Sequence, residues 1–249
     1  MPRGRAPGYE LQRETILAKA AELFARNGYT ATSMNAVAEA CGVSKPSLYH
    51  YVRDKHQLLV EITEGHIGRL LVLVAADSDA SASPELRLRR LIAAFLAVYS
   101  SSQNEHRVLT EDVKFLGAAE RERVLGGERA VVAAFAGAIA AARPGLDGTR
   151  LDKPLAMLLF GMMNWMFTWL QPKGVLTHAD MAPVVADLFF GGLSAVRSLA
   201  AASAVPPSTP PGDFPCQSQS AFSAKPPSPP ASPRRPRSLP QRRPTSTSA

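Results

Sequence analysis

TSMNAVAEACGVSKPSLYHYV, residues 32–52, holds two short helical patterns joined by a tight turn. Met34, Val37, Ala38 and Cys41 recur at i, i+3, i+4 and i+7, which gives the first segment one apolar face. Thr32 or Ser33 can cap its start, because a short side-chain oxygen accepts from the free N–H groups of a first turn. Gly42 supplies the turn. Ser44 caps the second segment, and Pro46 falls in its first turn, where a missing N–H costs nothing. Val43 and Leu48 pack the second segment onto the first, leaving Ser44, Lys45, Ser47, Tyr49 and His50 outward. A helix N-terminus with hydroxyls and a lysine suits phosphates, and Lys, Ser and Tyr reach base edges in a major groove. On spacing alone, a helical hairpin with a polar face remains the other reading.

Working outward, the run ETILAKAAELFARNGYTATSMNAVAEACGVSKPSLYHYVRDKHQLL, residues 14–59, resembles the DNA-binding domain of the tetracycline-repressor (TetR) family. The resemblance rests on the AAELF helix, the Asn27-Gly28-Tyr29 break, the GVSKPSLYHYV segment and the Asp54-Lys55 helix start. It implies an all-α protein with a three-helix head over residues 10–56, its helix-turn-helix at 33–52. A helical body of about six helices would follow over 57–201, for ligand binding and dimerisation. The implied DNA-binding residues are Thr32, Ser33, Ser44, Lys45, Pro46, Ser47, Tyr49, His50 and Lys55. Lys55 sits there in the first turn of a long helix joining head to body, with His56 beside it.

Charge agrees with a nucleic-acid head. Of the net +7 over 249 residues, the first 60 carry +3, residues 61–201 carry −1 and the last 48 carry +5. A basic end module fits phosphate contact, with an affinity that falls steeply with salt. The near-neutral middle fits a ligand or partner domain. The two cysteines, Cys41 and Cys216, give neither a disulfide framework nor zinc spacing, and Cys41 reads as a small core residue. Residues 1–9 are expected to be a flexible basic arm, with Arg3 and Arg5 and no apolar signal region. The most apolar run, Leu155 to Leu170, is short of the ~20 residues a membrane span needs. The expectation is a cytoplasmic protein with no membrane partner.

The expected helices follow in order. The first runs from Glu10 to Arg26, stopped by Asn27-Gly28 with the glycine left-handed. The long one opens at Asp54 and reaches Ala76, with His66 on its apolar stripe as an interdomain histidine. Ser83-Pro84 starts another, ending near Ser102, and a further one spans His106 to Leu116. Ala119 to Ala142 is Ala-rich, with Gly126-Gly127 as a bend. Asp152 to Gln171 and Thr177 to Ala201 complete the set. From Ala202 the composition changes: 13 of the 21 prolines lie in the last 48 residues, among Ser and Arg. Such a tail cannot bury enough apolar surface to fold, and it reads either as a basic tether or as out-of-frame sequence.

The body offers one informative stretch, LAMLLFGMMNWMFTWLQPKG, residues 155–174. It is apolar on every face, so other helices or a second subunit must enclose it. Plain core is one reading; a pocket wall is the other, with Met162, Trp165 and Trp169 lining a cavity and Asn164 orienting a polar group. Together with residues 111–129, this stretch resembles the ligand domains of TetR-type regulators of fatty-acid, steroid or phenylacetate breakdown. That resemblance implies a coenzyme A thioester as effector, its acyl or aryl group among Phe95, Phe115, Trp165 and Trp169. Lys114, Arg121, Arg123 and Arg129 are candidates for its phosphates, though solvated charge pairing is their more ordinary use. It also implies a homodimer on a palindromic operator, with Leu188, Phe189, Gly192, Leu193 and Val196 as the seam of the last helix. No cofactor or metal is expected, and no catalytic residue: there is no Gly-x-Ser-x-Gly elbow, phosphate loop or His-Glu-x-x-His. An architectural DNA binder, and less so an all-α enzyme, are the competing readings.

Overall fold

The computed structural model describes residues 8–76, 81–146, 149–170 and 174–193. Arg3, Arg5, Val196 and the Pro-rich tail fall outside them. Every regular element among the described residues is helical: α1 (Tyr9–Asn27), α2 (Met34–Ala40), α3 (Lys45–Leu48), α4 (Lys55–Ala76), α5 (Pro84–Ser101), α6 (Gln103–Asp112), α7 (Ala118–Ala142), α8 (Asp152–Asn164), α9 (Met166–Trp169) and α10 (His178–Leu193).

The apolar spacings resolve into two cores. The first joins Ile16, Ala20 and Phe24 of α1 to Val37 and Ala38 of α2, then to Leu48, Val52, Leu58, Leu59 and Ile62. It does not stop at the head. Val108 and Leu109 of α6, with Val113, Leu116 and Val124 beyond, close the same cluster. The second core packs Ile67 and Leu70 of α4 against α5, α7, α8 and α10, around Phe95, Phe135 and Phe160. Phe95 meets Phe135 edge-on at 4.8 Å, the preferred aromatic geometry. α4 therefore serves both cores, and between Ile62 and Ile67 it buries two polar residues, Thr63 and His66.

Several element ends differ from expectation, each for a local reason. Gly28 has φ 84° and ψ 151°, a region open essentially to glycine, yet it is not the left-handed helical geometry expected. α6 begins at Gln103 rather than His106 and gives way after Asp112 to a 3-10 turn over Val113–Phe115. α7 runs unbroken through Gly126-Gly127. A Cβ on Gly127 would lie 2.7 Å from Ile67 Cγ1, so this glycine lets α7 approach α4. The helix expected over 152–171 breaks at Trp165, where Thr168 takes the Trp165 carbonyl with both its N–H, at 3.1 Å, and its hydroxyl, at 2.7 Å. α7 is also long and apolar enough by composition to cross a membrane, and it places Val124, Val131, Phe135 and Ile139 in the two cores.

Candidate nucleic-acid interface and effector body

α3 has only four residues, too few to stand alone in water. Its surroundings hold it. Ser33 caps α2, its hydroxyl accepting from Ala36 N–H at 3.1 Å, and Ser44 caps α3 by accepting from Ser47 N–H at 3.2 Å. Between the caps Gly42 adopts φ 65°, and Val43 N–H donates to the Ala38 carbonyl at 3.0 Å. Leu48 and Val52 are buried beneath; removing a leucine side chain from water contributes about 2 kcal/mol. At the far end the Tyr9 ring stacks on Tyr51 at 4.9 Å, so the start of α1 braces the turn after α3. Lys45, Pro46 and His50 are left exposed, as is Tyr49 at 45 %, with Ser47 half-buried.

Two residues expected at this surface are engaged elsewhere. Thr32 is 2 % exposed, and its hydroxyl lies 3.0 Å from the Gly28 carbonyl and 3.2 Å from that of Leu23. The Lys55 ammonium donates to the carbonyls of Tyr29, Thr30 and Thr32 at 2.9, 3.2 and 2.9 Å and sits over the Tyr29 ring. Both lock the α1–α2 turn, because that turn leaves a fan of carbonyls that no helix satisfies. Asp54 caps α4 by accepting from Gln57 N–H at 2.7 Å. Burial pushes the half-buried Cys41 thiol above its ordinary value, consistent with a small packing residue.

The expected effector residues do not form one cluster. Phe95 lies in the second core, whereas Phe115 stacks on Tyr29 at 5.3 Å beside the first. Trp165 and Trp169 are about half exposed. Met162 packs at the edge of the second core, and Asn164 keeps a buried Oδ1 with no hydrogen-bond partner among the described residues. Arg121 is exposed, while Arg123 and Arg129 pair with Glu64 and Glu122. The seam on α10 also divides. Leu188, 66 % exposed, and Gly192 face outward with Val184, while Phe189 and Leu193 point into the chain's own core. On the neighbouring α8, Met157 and Leu158 are likewise exposed.

Sequence reasoning singled out His66 but not its surroundings. His66 Nε2 lies 3.2 Å from His106 Nδ1, and an Arg69 guanidinium nitrogen lies 3.3 Å from His66 Nδ1 and 3.4 Å from Ser102 Oγ. The Tyr99 ring stacks on His106 at 4.0 Å, and Phe167 meets it edge-on. Burial holds His66 down to about 3, with smaller contributions from His106 and Arg69. His106 is held at about 4 by burial and then by nearby His178. Both rings are neutral near pH 7. His178, also buried, starts α10, where Thr177 and Asp180 cap one another. Among the described residues no group of His, Cys, Asp or Glu is placed to hold a metal ion.

Residues 16–62 match the family model described as bacterial regulatory proteins, tetR family, and residues 81–193 match the tetracyclin repressor-like C-terminal domain. A TetR-family transcriptional regulator from Bordetella parapertussis superposes with a TM-score of 0.69 at 31 % identity, covering 75 % of this chain and 98 % of that one. AibR, in a crystal structure with isovaleryl coenzyme A and operator DNA, gives a TM-score of 0.62 at 26 % identity, covering 71 % and 97 %. The transcriptional repressor KstR2 of Rhodococcus jostii is 26 % identical over 200 residues, 78 % of this chain and 96 % of that protein. The matches to FasR of Mycolicibacterium smegmatis and KstR2 of Mycobacterium tuberculosis span about half the length of those relatives.

Proposed function

The chain belongs to the TetR family of helix-turn-helix transcriptional regulators, and on that premise we propose a homodimeric repressor, released from a palindromic operator by an acyl- or aryl-coenzyme A thioester. The observation that carries this reading is the presentation of α3. A four-residue helix is capped, plugged and braced so that Ser44, Lys45, Pro46, Tyr49 and His50 face solvent together. A rigid polar helix end suits the major groove, with the cap and lysine on phosphates and Tyr49 on base edges.

The exposed apolar strips on α8 and α10 support a second copy as their cover. Met157, Leu158, Val184 and Leu188 would otherwise face water as neighbouring patches. Two-fold pairing then sets two α3 helices one or more helical turns apart, and a palindromic site follows. The thioester reading draws on the complex reported for AibR. α4 runs from the head into the body, so an effector that prefers a shifted α4 weakens operator binding by its differential affinity. The curated relatives include an activator as well as repressors, so operator affinity measured with and without the thioester decides the sign of the response.

Footprinting locates the operator, and its affinity is then measured for Lys45→Ala and Tyr49→Ala. Each is expected to lose about 10-fold or more with unfolding unchanged. Wild-type affinity in both variants overturns the head assignment. Thermal unfolding with isovaleryl-CoA, phenylacetyl-CoA and free CoA addresses the body. A bound thioester at a hundred times its Kd adds ~2.7 kcal/mol, several degrees in Tm. No shift with any thioester removes the effector reading and leaves the DNA-binding one.

A further inference from the structure

The hydrogen-bond chain at the junction of the two cores runs in one direction only. Arg69 has donors and no acceptor, so the His66 Nδ1 it faces at 3.3 Å must accept. His66 then carries its proton on Nε2 and donates to His106 Nδ1 at 3.2 Å. His106 in turn must carry its proton on Nε2. That N–H is buried in a side chain 3 % exposed, and among the described residues nothing accepts from it. The rings are neutral near pH 7, so each holds one proton and the direction cannot be lost by doubling it.

We propose that the Nε2–H of His106 is the hydrogen-bond donor for the effector, and that it selects molecules carrying an acyl carbonyl oxygen. A buried donor without an acceptor destabilises the free protein, so a ligand oxygen that accepts from it gains more than one reaching a solvated group. The ring is held for this task. Tyr99 stacks on one face at 4.0 Å, and Phe167 of α9 closes from its edge. α9 is a single turn following the break at Trp165, and three residues before Phe167 lies Asn164 with its own unpartnered oxygen. An ammonium group or an aliphatic chain leaves the His106 donor unanswered, which sets the selectivity. Because His66 belongs to α4, the same chain links the ligand's carbonyl to the helix that carries the head. This inference rests on the effector reading above and narrows it to a chemical group, an acyl oxygen supplied either by a thioester or by a free carboxylic acid.

The test uses the full chain labelled with 15N-histidine, observed by ring-nitrogen NMR alone and with isovaleryl-CoA, phenylacetyl-CoA, isovalerate, phenylacetate or CoA. The free protein is expected to show His106 protonated on Nε2, and an acyl probe to shift that signal. His106→Phe, which keeps the stack on Tyr99, should lose at least 10-fold in affinity for the same probe and still bind operator. Arg69→Leu should release the fixed tautomer, a change that a packing role alone does not produce. A His106 protonated on Nδ1 overturns the proposal. So does a thioester that raises Tm while leaving the His106 signal still and binding His106→Phe equally; the effector reading then stands without it. If a free acid moves the signal while no thioester binds, the donor assignment stands and the coenzyme A reading falls. If no probe moves the ring signal or Tm, both fall.

Discussion

Ser33, Ser44 and Thr32 are short hydroxyl residues beside helix starts, and the backbone around each decides its role. The two serines hold extended φ/ψ before a helix and cap it, whereas Thr32 is folded under the α1–α2 turn and bonds back to it. Residue type and spacing made the caps legible in the sequence. They could not reveal Thr32, because its partners lie four and nine residues back along the chain. Lys55 is the sharper case, since it reaches carbonyls 23 to 26 residues away. Lys55→Met leaves those carbonyls without their donor and is expected to lower stability by about 2 kcal/mol. Urea midpoints measure that loss, and the salt dependence of operator affinity separates it from phosphate contact. A phosphate-binding lysine would reduce the salt slope by about one unit, whereas Lys55→Met should leave it unchanged.

Helices were legible as elements, but which of their faces turn inward was less so. An α-helix turns 100° per residue, so Leu188 and Phe189 look alike in a pattern, yet one faces outward from α10 and the other into the core. The whole-apolar stretch 155–174 has the same difficulty, and nothing in its pattern marks the break at Trp165, where Thr168 bonds back to the Trp165 carbonyl. Leu188→Glu puts a charge on the outward strip and should leave the fold intact while converting a dimer to a monomer, as light scattering after size exclusion would show. A monomer already present in the wild type at micromolar concentration rules out that strip as the seam. Gly127 poses the opposite problem, since helix propensity argues for replacing it and packing forbids it. Alanine gains about 1 kcal/mol in an open helix, but Gly127→Val drives two methyls into Ile67 and is expected to cost about 1–3 kcal/mol in denaturant unfolding.

Over the whole molecule, the head was legible and the body much less so. Caps, turn glycine and periodic apolar residues act within a few positions of one another, whereas the chain through Arg69, His66, Ser102 and His106 is assembled from α4, α6 and the residue that joins α5 to α6. That chain also shapes the response to acid. His66 and His106 are held below the ordinary histidine value, so the unfolded chain binds protons first. Stability is intact above about pH 6.5 and falls with pH toward 4, by about 1.4 kcal/mol per unit for each ring. Asp112, pushed up to about 6 chiefly by burial, works the other way and favours the folded state as pH falls from 6 toward 3.8. His178, also lowered by burial, adds to the decline, and Glu128, also raised by burial, opposes it with Asp112; the two deeply held rings set the net direction. Urea midpoints from pH 7 to 4.5 should decline in the wild type and decline less in His106→Phe. Equal slopes would show that His106 is not held below its ordinary value. The sharing of the first core between α1–α4 and the segment from Val108 to Val124 has a consequence for how the protein comes apart. Protease cleavage after α4 would not liberate a compact DNA-binding fragment, because that fragment would carry away Leu58, Leu59 and Ile62 without the surface they seal against. Nicked chains should be digested to small peptides in one stage, and reader and sensor should melt together.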